Sequence, residues 1–235
     1  MMKRIGWICL LAGCLGLAGC KSPTSDVKAA RGVFQQMPGK PEAGDSQMQA
    51  DEAAYQQGLA MRGTERAKEA GVHAGITKVK DLEALFSPVI GRGISEAETP
   101  AIHKLLKRVY TVSREISHDA KRLYRRDRPF AVHPEDKTCR PDLKDGSNPH
   151  YSYPSGHTVS SWSVTTMLAK LFPEKADDVL ALGNRLGESR WICGYHWKSD
   201  VEGSKQLVER IVDRLMEDKS FKKQFQKAKL EADGD

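Results

Sequence analysis

The sequence predicts an all-α fold, a single compact multi-helix domain. Three observations carry this. Ile102, Leu105, Leu106, Val109, Ile116, Ala120 and Leu123 recur at spacings of three, four and seven, the period of one buried helix face. Residues 48–60 and 64–70 are dense in Ala, Gln, Glu and Met, side chains that lose little freedom in a helix. No stretch of useful length alternates apolar and polar residues as a half-buried strand would, and no repeat is present.

The chain opens with basic Met1-Met2-Lys3-Arg4. Ile5 to Gly19 is then a run of apolar and small residues before polar Lys21-Ser22, the pattern of a signal peptide. The run is shorter than the roughly 20 predominantly apolar residues of a spanning helix. Leu17-Ala18-Gly19-Cys20 resembles the bacterial lipobox, whose cysteine becomes the lipidated first residue of the mature protein. Leu11-Ala12-Gly13-Cys14 fits the same pattern, but cleavage there would leave an apolar segment of about nine residues, near the short end of the usual range. Residues 1–20 are therefore read as a lipoprotein signal with Cys20 as lipidation site; an ordinary secretory signal is the alternative. Acyl chains would hold the protein at a membrane surface without a spanning helix. Lys21 is not the aspartate that resembles an inner-membrane retention signal, so the expected location is the periplasmic side of the outer membrane.

Residues 21–45 mix Lys, Ser, Pro, Gly and Ala without a period and read as a flexible tether, leaving 46–235 as the folded domain. Thr99-Pro100 has the form of an N-cap followed by proline at the first helical position, opening one long helix over roughly 100–126. Pro129 disfavours helix at Arg128, so that helix presents Lys121 on its last turns and leaves Arg128 extended beside it. Residues 130–153 form a long loop, and a helix over 158–171 follows the Ser155-Gly156 turn. Pro173 opens another helix, and Ser199-Asp200-Val201-Glu202 has the capping-box form of a last one. Val201, Val208, Ile211, Val212 and Leu215 make its buried face.

Length and charge narrow the function. The chain has 235 residues and a net charge of +6, enough for one domain of about 180–200 residues with a real core. Removing residues 1–20 takes away Lys3 and Arg4 and no acid, leaving +4. The positive charges are spread rather than gathered in the basic stripe of a nucleic-acid binder. Lys222, Lys223, Lys227 and Lys229 suit the solvated face of a terminal helix. After Cys20 only Cys139 and Cys193 remain, an even number in an oxidising compartment, and a disulfide between them is expected. It would close a loop of about 54 residues and stabilise the fold by about 3–4 kcal/mol.

Three short segments carry the chemistry. Lys121, Arg128 and Arg190 supply fixed cations, two of them able to fork a pair of oxygens. Ser155-Gly156 suits a tight turn whose N–H groups face an anion at the start of a helix. His196 and Asp200 are four apart, a spacing that lets the carboxylate accept Nδ1–H and leaves Nε2 free as a nucleophile. His157 is then available to protonate a leaving alkoxide and activate water. This set points to phosphoryl transfer. One histidine should have a raised pKa and the other an unprotonated Nε2, which predicts an acid to near-neutral optimum. His73, His103, His118, His133 and His150 lie outside the pattern and are read as structural or surface residues.

Lys121-x6-Arg128-Pro129, Pro154-Ser155-Gly156-His157 and Ser189-Arg190-x5-His196-x3-Asp200 resemble, without a substitution, the three-part signature of the bacterial class A non-specific acid phosphatases. Those belong to the type 2 phosphatidic acid phosphatase and vanadium haloperoxidase superfamily. Gly63-Thr64-Glu65-Arg66, His103-Lys104-Leu105-Leu106, Arg128-Pro129-Phe130 and Ile192-Cys193-Gly194-Tyr195-His196-Trp197 extend the resemblance over roughly residues 45–215. It implies a compact helical domain of that superfamily's type. It also implies broad-specificity hydrolysis of phosphate monoesters to inorganic phosphate. His196 would become phosphohistidine, Asp200 would orient it and His157 would be the acid. Lys121, Arg128, Ser155, Gly156 and Arg190 would hold phosphate. No metal or other cofactor is implied, and the sequence offers no obvious ligand cluster. A lipid phosphate or pyrophosphate phosphatase at the membrane and a vanadate-dependent haloperoxidase are the alternative readings of the same site. Homo-oligomerisation is left open.

Overall fold

The structure is a computed structural model describing residues 23–143 and 148–234. The signal peptide and the lipidation site Cys20 lie outside the described residues. Ten α-helices follow in order: α1 (Pro23–Ala30), α2 (Ser46–Ala60), α3 (Glu65–Ala74), α4 (Val79–Ile90), α5 (Pro100–Tyr124), α6 (Pro129–Val132), α7 (Gly156–Leu171), α8 (Ala176–Ile192), α9 (Lys198–Glu217) and α10 (Lys219–Asp233). Among the described residues there is no strand, as the sequence predicts.

The core forms around α7, which packs against α5, α8 and α9. Val159, Val164, Met167 and Leu168 of α7 are fully buried, and Thr158, Ser160, Ser161, Ser163 and Thr165 are buried as well. Three of those hydroxyls turn back onto the helix: Ser161 donates to the Thr158 carbonyl, Ser163 to the Ser160 carbonyl and Thr165 to the Ser161 carbonyl. Gly183 lets α8 lie close against this face, because a Cβ there would collide with the Thr165 side chain. The long α5 contributes the predicted stripe, with Ile102, Leu105, Leu106, Val109, Ile116 and Ala120 fully buried, although Leu123 is exposed. It ends at Arg125, whose φ of 41° is left-handed and breaks the helical register.

Two expectations need correction. Residues 23–37 are not a tether: α1 and the turn after it place Val27, Ala30, Phe34 and Met37 in the main core. Asp26 is buried too, forked by Arg108 at 2.6 and 2.8 Å. The four apolar positions are spaced three, four and three apart, a helical stripe obscured by the polar composition around it. Among the described residues, the packed body therefore reaches back to Val27 at least, well before 46. The last site helix also starts earlier than the Ser199 capping box suggests. Trp197 is its N-cap and Asp200 accepts the Trp197 N–H at 2.8 Å.

The long segment between α5 and α7 is pinned rather than free. Arg128 N–H donates to the Pro149 carbonyl (2.8 Å) and Ser152 N–H to the Arg126 carbonyl (2.8 Å). The expected Cys139–Cys193 disulfide is present, tying this segment to the end of α8, and Cys139 N–H also donates to the Cys193 carbonyl (3.3 Å). Helix α6 and a 3-10 turn at Pro141–Leu143 interrupt the predicted loop. Among the described residues, no helix is long and apolar enough to cross a membrane.

Candidate active site

The three sequence segments converge on one cavity of about 370 Å³. Lys121, Arg128, Gly156, His157, Arg190 and His196 line its floor. The end of α5 delivers Lys121, and the break at Arg125 turns Arg128 back into an extended position beside it. Lys121 Nζ donates to the carbonyls of Tyr151 (2.7 Å) and Pro154 (2.5 Å). Arg128 is held by carbonyls on three sides: Nε donates to Asn148, Nη1 to Tyr195 and Nη2 to Tyr151, at 2.8–3.0 Å. Arg190, on the last turn of α8, is buried over the Tyr195 ring, and its Nε and Nη1 have no hydrogen-bond partner among the described residues.

Both histidines are presented by backbone turns. His157 lies at the start of α7, where the first N–H groups of a helix face its N-terminal end without intrahelical partners. Its Nε2 is buried and unpartnered among the described residues. His196 lies just before α9, and Arg128 Nη1 donates to its Nε2 at 2.9 Å. A guanidinium has no acceptor, so Nε2 carries the lone pair and the ring proton sits on Nδ1. That Nδ1 faces Asp200 Oδ2 at 3.4 Å.

Burial and mutual repulsion shape the charges. Burial, followed by repulsion from Arg128, lowers Arg190 to about 9, and burial lowers Arg128 to about 10. Lys121 falls well below the ordinary lysine range for the same two reasons. Arg190 first and then burial hold His157 well below its ordinary value, while burial and then Arg128 do so for His196. Neither histidine is raised, contrary to the sequence expectation for one of them. The physical reason is that cations surround both, and no carboxylate lines the cavity among the described residues. Such a site gains most from an anion, which offsets every one of these costs.

Ser155 caps the helix that opens beside the cavity. It does not line the cavity; its Oγ accepts from Thr158 N–H and caps α7, and its own N–H donates to the Asp200 carbonyl. Asp200 also stands behind the cavity rather than on it. Its carboxylate accepts from Arg126 Nη1 (2.6 Å), Ser152 Oγ (2.5 Å) and Trp197 N–H (2.8 Å). Burial raises its pKa, with Arg126 and these hydrogen bonds pulling the other way.

Sequence reasoning missed the residues that hold Asp200. Arg126 Nη2 donates to Asp51 (2.6 Å) and Nη1 to Ser199 Oγ (2.7 Å), while Ser199 N–H donates to Asp51 (2.8 Å). Asp51 and Asp200 are fully buried. Asp51 lies on α2, distant in sequence and indistinguishable there from a solvated helix acid. Of the five other histidines, His73 lies 2.8 Å from the Ser189 hydroxyl, His103 pairs with buried Glu83, His133 stacks on Tyr55 and exposed His150 pairs with Asp127. His118, read as structural or surface, is exposed and also lines the cavity.

Fold and site together define a helical protein built around a buried, cation-lined oxyanion pocket with paired histidines. The chain matches the PAP2 superfamily over residues 106–205, a span that holds every one of these cavity-floor residues. It is 38% identical over 196 residues to a non-specific acid phosphatase of Providencia stuartii, covering 83% of this chain and 78% of that protein. A non-specific acid phosphatase of Salmonella typhimurium is 33% identical over the same length and the same shares. An acid phosphatase of Zymomonas mobilis is 32% identical over 146 residues, 62% of this chain and 55% of that protein. The chain belongs to the bacterial class A non-specific acid phosphatases of the PAP2 superfamily, which makes it a phosphoric monoester hydrolase.

Proposed function

We propose that the protein hydrolyses phosphate monoesters with broad specificity through a phosphohistidine at His196, without a metal ion. The observation that carries this is a set of nitrogens around one cavity with no lining carboxylate among the described residues: His157 Nε2 and Arg190 Nε and Nη1 without a partner there, and the lone pair of His196 Nε2, which meets Arg128 Nη1. A phosphoryl group partners the open nitrogens of His157 and Arg190 together, with Lys121, Arg128, Arg190 and the first N–H groups of α7 taking its charge.

Once the phosphoryl oxygens draw Arg128 Nη1 off it, the His196 Nε2 lone pair attacks phosphorus in line, forming a P–N bond as the P–O bond to the leaving group breaks. His157, protonated when the substrate's charge raises its pKa, donates that proton to the departing alkoxide. A water then attacks the phosphohistidine, its proton passes to His157, and inorganic phosphate leaves with Nε2 restored. As His196 gains positive charge on phosphorylation, its Nδ1–H closes onto Asp200, whose carboxylate stabilises that charge. The test is rapid quench into alkaline detergent after mixing with a monoester labelled on phosphorus. Alkali-stable, acid-labile label on the wild type, absent in His196→Ala and unaffected by chelator, is the expected result; no such label would sink the proposal.

The leader sequence supports export as a lipoprotein on the outer membrane's periplasmic side. Incorporation of labelled palmitate into the full-length chain, lost in Cys20→Ser, tests it.

A further inference from the structure

The cavity is larger than one phosphoryl group needs, and its outer wall is also basic. Its volume of about 370 Å³ falls within the ~300–1,000 Å³ of sites that enclose a whole small molecule. Above the floor, α5 supplies Tyr110, Arg114, His118 and Arg122 to the lining, four positions spaced four residues apart. That spacing returns to nearly the same helix face at each step. Among the described residues, no carboxylate lines this outer wall either.

These cations differ in how far they are already neutralised. Arg122 is hydrogen-bonded to Asp119, which also accepts from Arg31 at 3.0 Å. Arg114 donates only to the Tyr110 hydroxyl, at 3.4 Å, and makes no ion pair among the described residues. His118 has burial and then Arg114 as the main forces against its protonation, with Glu115 opposing them. Arg114 and His118 are both solvent-exposed at the mouth. At a rise of about 1.5 Å per residue, His118 stands about 4.5 Å and Arg114 about 10 Å along the axis from Lys121.

Resting on the phosphatase reading of the floor, we infer that Arg114 and His118 form a second anion subsite, selecting phosphate esters whose leaving group carries another phosphoryl group. A three- to six-carbon spacer between the two groups matches the helix geometry. Such a substrate would place its scissile phosphate against His196 and its second phosphate between Arg114 and His118, while Tyr110 and Tyr151 flank the carbon chain.

Non-hydrolysable probes test this by calorimetry on the intact protein. Propane-1,3- and hexane-1,6-bisphosphonate are compared with the propyl and hexyl monophosphonates. We expect at least one bisphosphonate to bind tenfold or more tightly than its monophosphonate, well beyond the twofold advantage of having two equivalent ends. The double variant Arg114→Gln/His118→Gln should cut that ratio below threefold while shifting monophosphonate affinity far less. A control pair of exposed lysines outside the cavity, Lys107→Gln/Lys222→Gln, should leave the ratio intact. A wild-type ratio near two, a ratio that survives the double variant, or an equal loss in the control overturns the subsite. Absence of p-nitrophenyl phosphate hydrolysis by the wild type would instead refute the phosphatase reading, without altering these binding ratios.

Discussion

His196 Nδ1 stands 3.4 Å from Asp200 Oδ2, slightly beyond a well-formed hydrogen bond, while that same oxygen is gripped by Ser152 and the Trp197 N–H. The carboxylate is thus fixed in advance, and the imidazole has room to close onto it. Positive charge developing on His196 would draw the ring toward Asp200, so the contact strengthens as the phosphoryl group is taken up.

Asp200→Asn should therefore lower kcat by about 10²–10⁴-fold with a smaller change in KM. The amide can offer Nδ1 an N–H, favouring the tautomer that puts the proton on the attacking Nε2. Steady-state kinetics with p-nitrophenyl phosphate measures this, and a variant with normal kcat would remove Asp200 from the mechanism.

Arg126→Met should destabilise the fold by about 3–5 kcal/mol, because it leaves the buried carboxylates of Asp51 and Asp200 without their shared guanidinium. Urea unfolding reads the loss. The double variant Arg126→Met/Asp51→Asn should recover part of it, since one uncompensated charge is removed with its partner.

Acid should weaken the empty protein and strengthen its hold on anions. His157 and His196 are held neutral in the fold, whereas the unfolded chain protonates its histidines near pH 6.5. The unfolded state therefore binds more protons as pH falls through 6.5, and stability drops from pH 7.5 to 5.5. A bound dianion raises both histidine pKa values, so binding takes up protons and tightens over the same interval. Sulfate keeps its charge across this range; its Kd should be lower at pH 5.5 than at 7.5, and its stabilisation of Tm larger. The opposite order would show that these histidines do not sense the anion.

Replacing Cys139 and Cys193 together by Ala should cost about 3–4 kcal/mol, from the loop of 54 residues that the disulfide closes. Activity should fall as well, because Arg128 and His196 are carried by the two chain segments it joins. Denaturant unfolding with parallel assays checks both. Full activity with unchanged stability would leave the bridge without either role.

Much of this was legible in the chain. The stripe on α5, proline at its first position and the helix-breaking effect of Pro129 all act within a few residues, and they positioned Lys121 and Arg128 correctly. Local polar composition misled at residues 23–37, because their apolar stripe has meaning only against the face of α5 and α9 that covers it. Ser155 shows a related point: the same hydroxyl can cap a helix or meet a ligand, and only the fold shows that it caps α7.

By itself, the sequence determined the helical class, the acid phosphatase family and the three segments that meet at the cavity, since periodicity and side-chain chemistry are properties of short segments. Only the tertiary structure decided that Arg126 and Asp51 brace Asp200, that both histidines are driven neutral, and that His118 and Arg114 overlook the cavity. Those properties arise where segments far apart in the chain meet out of water, and there burial and neighbouring charge, rather than residue type, set what each group does.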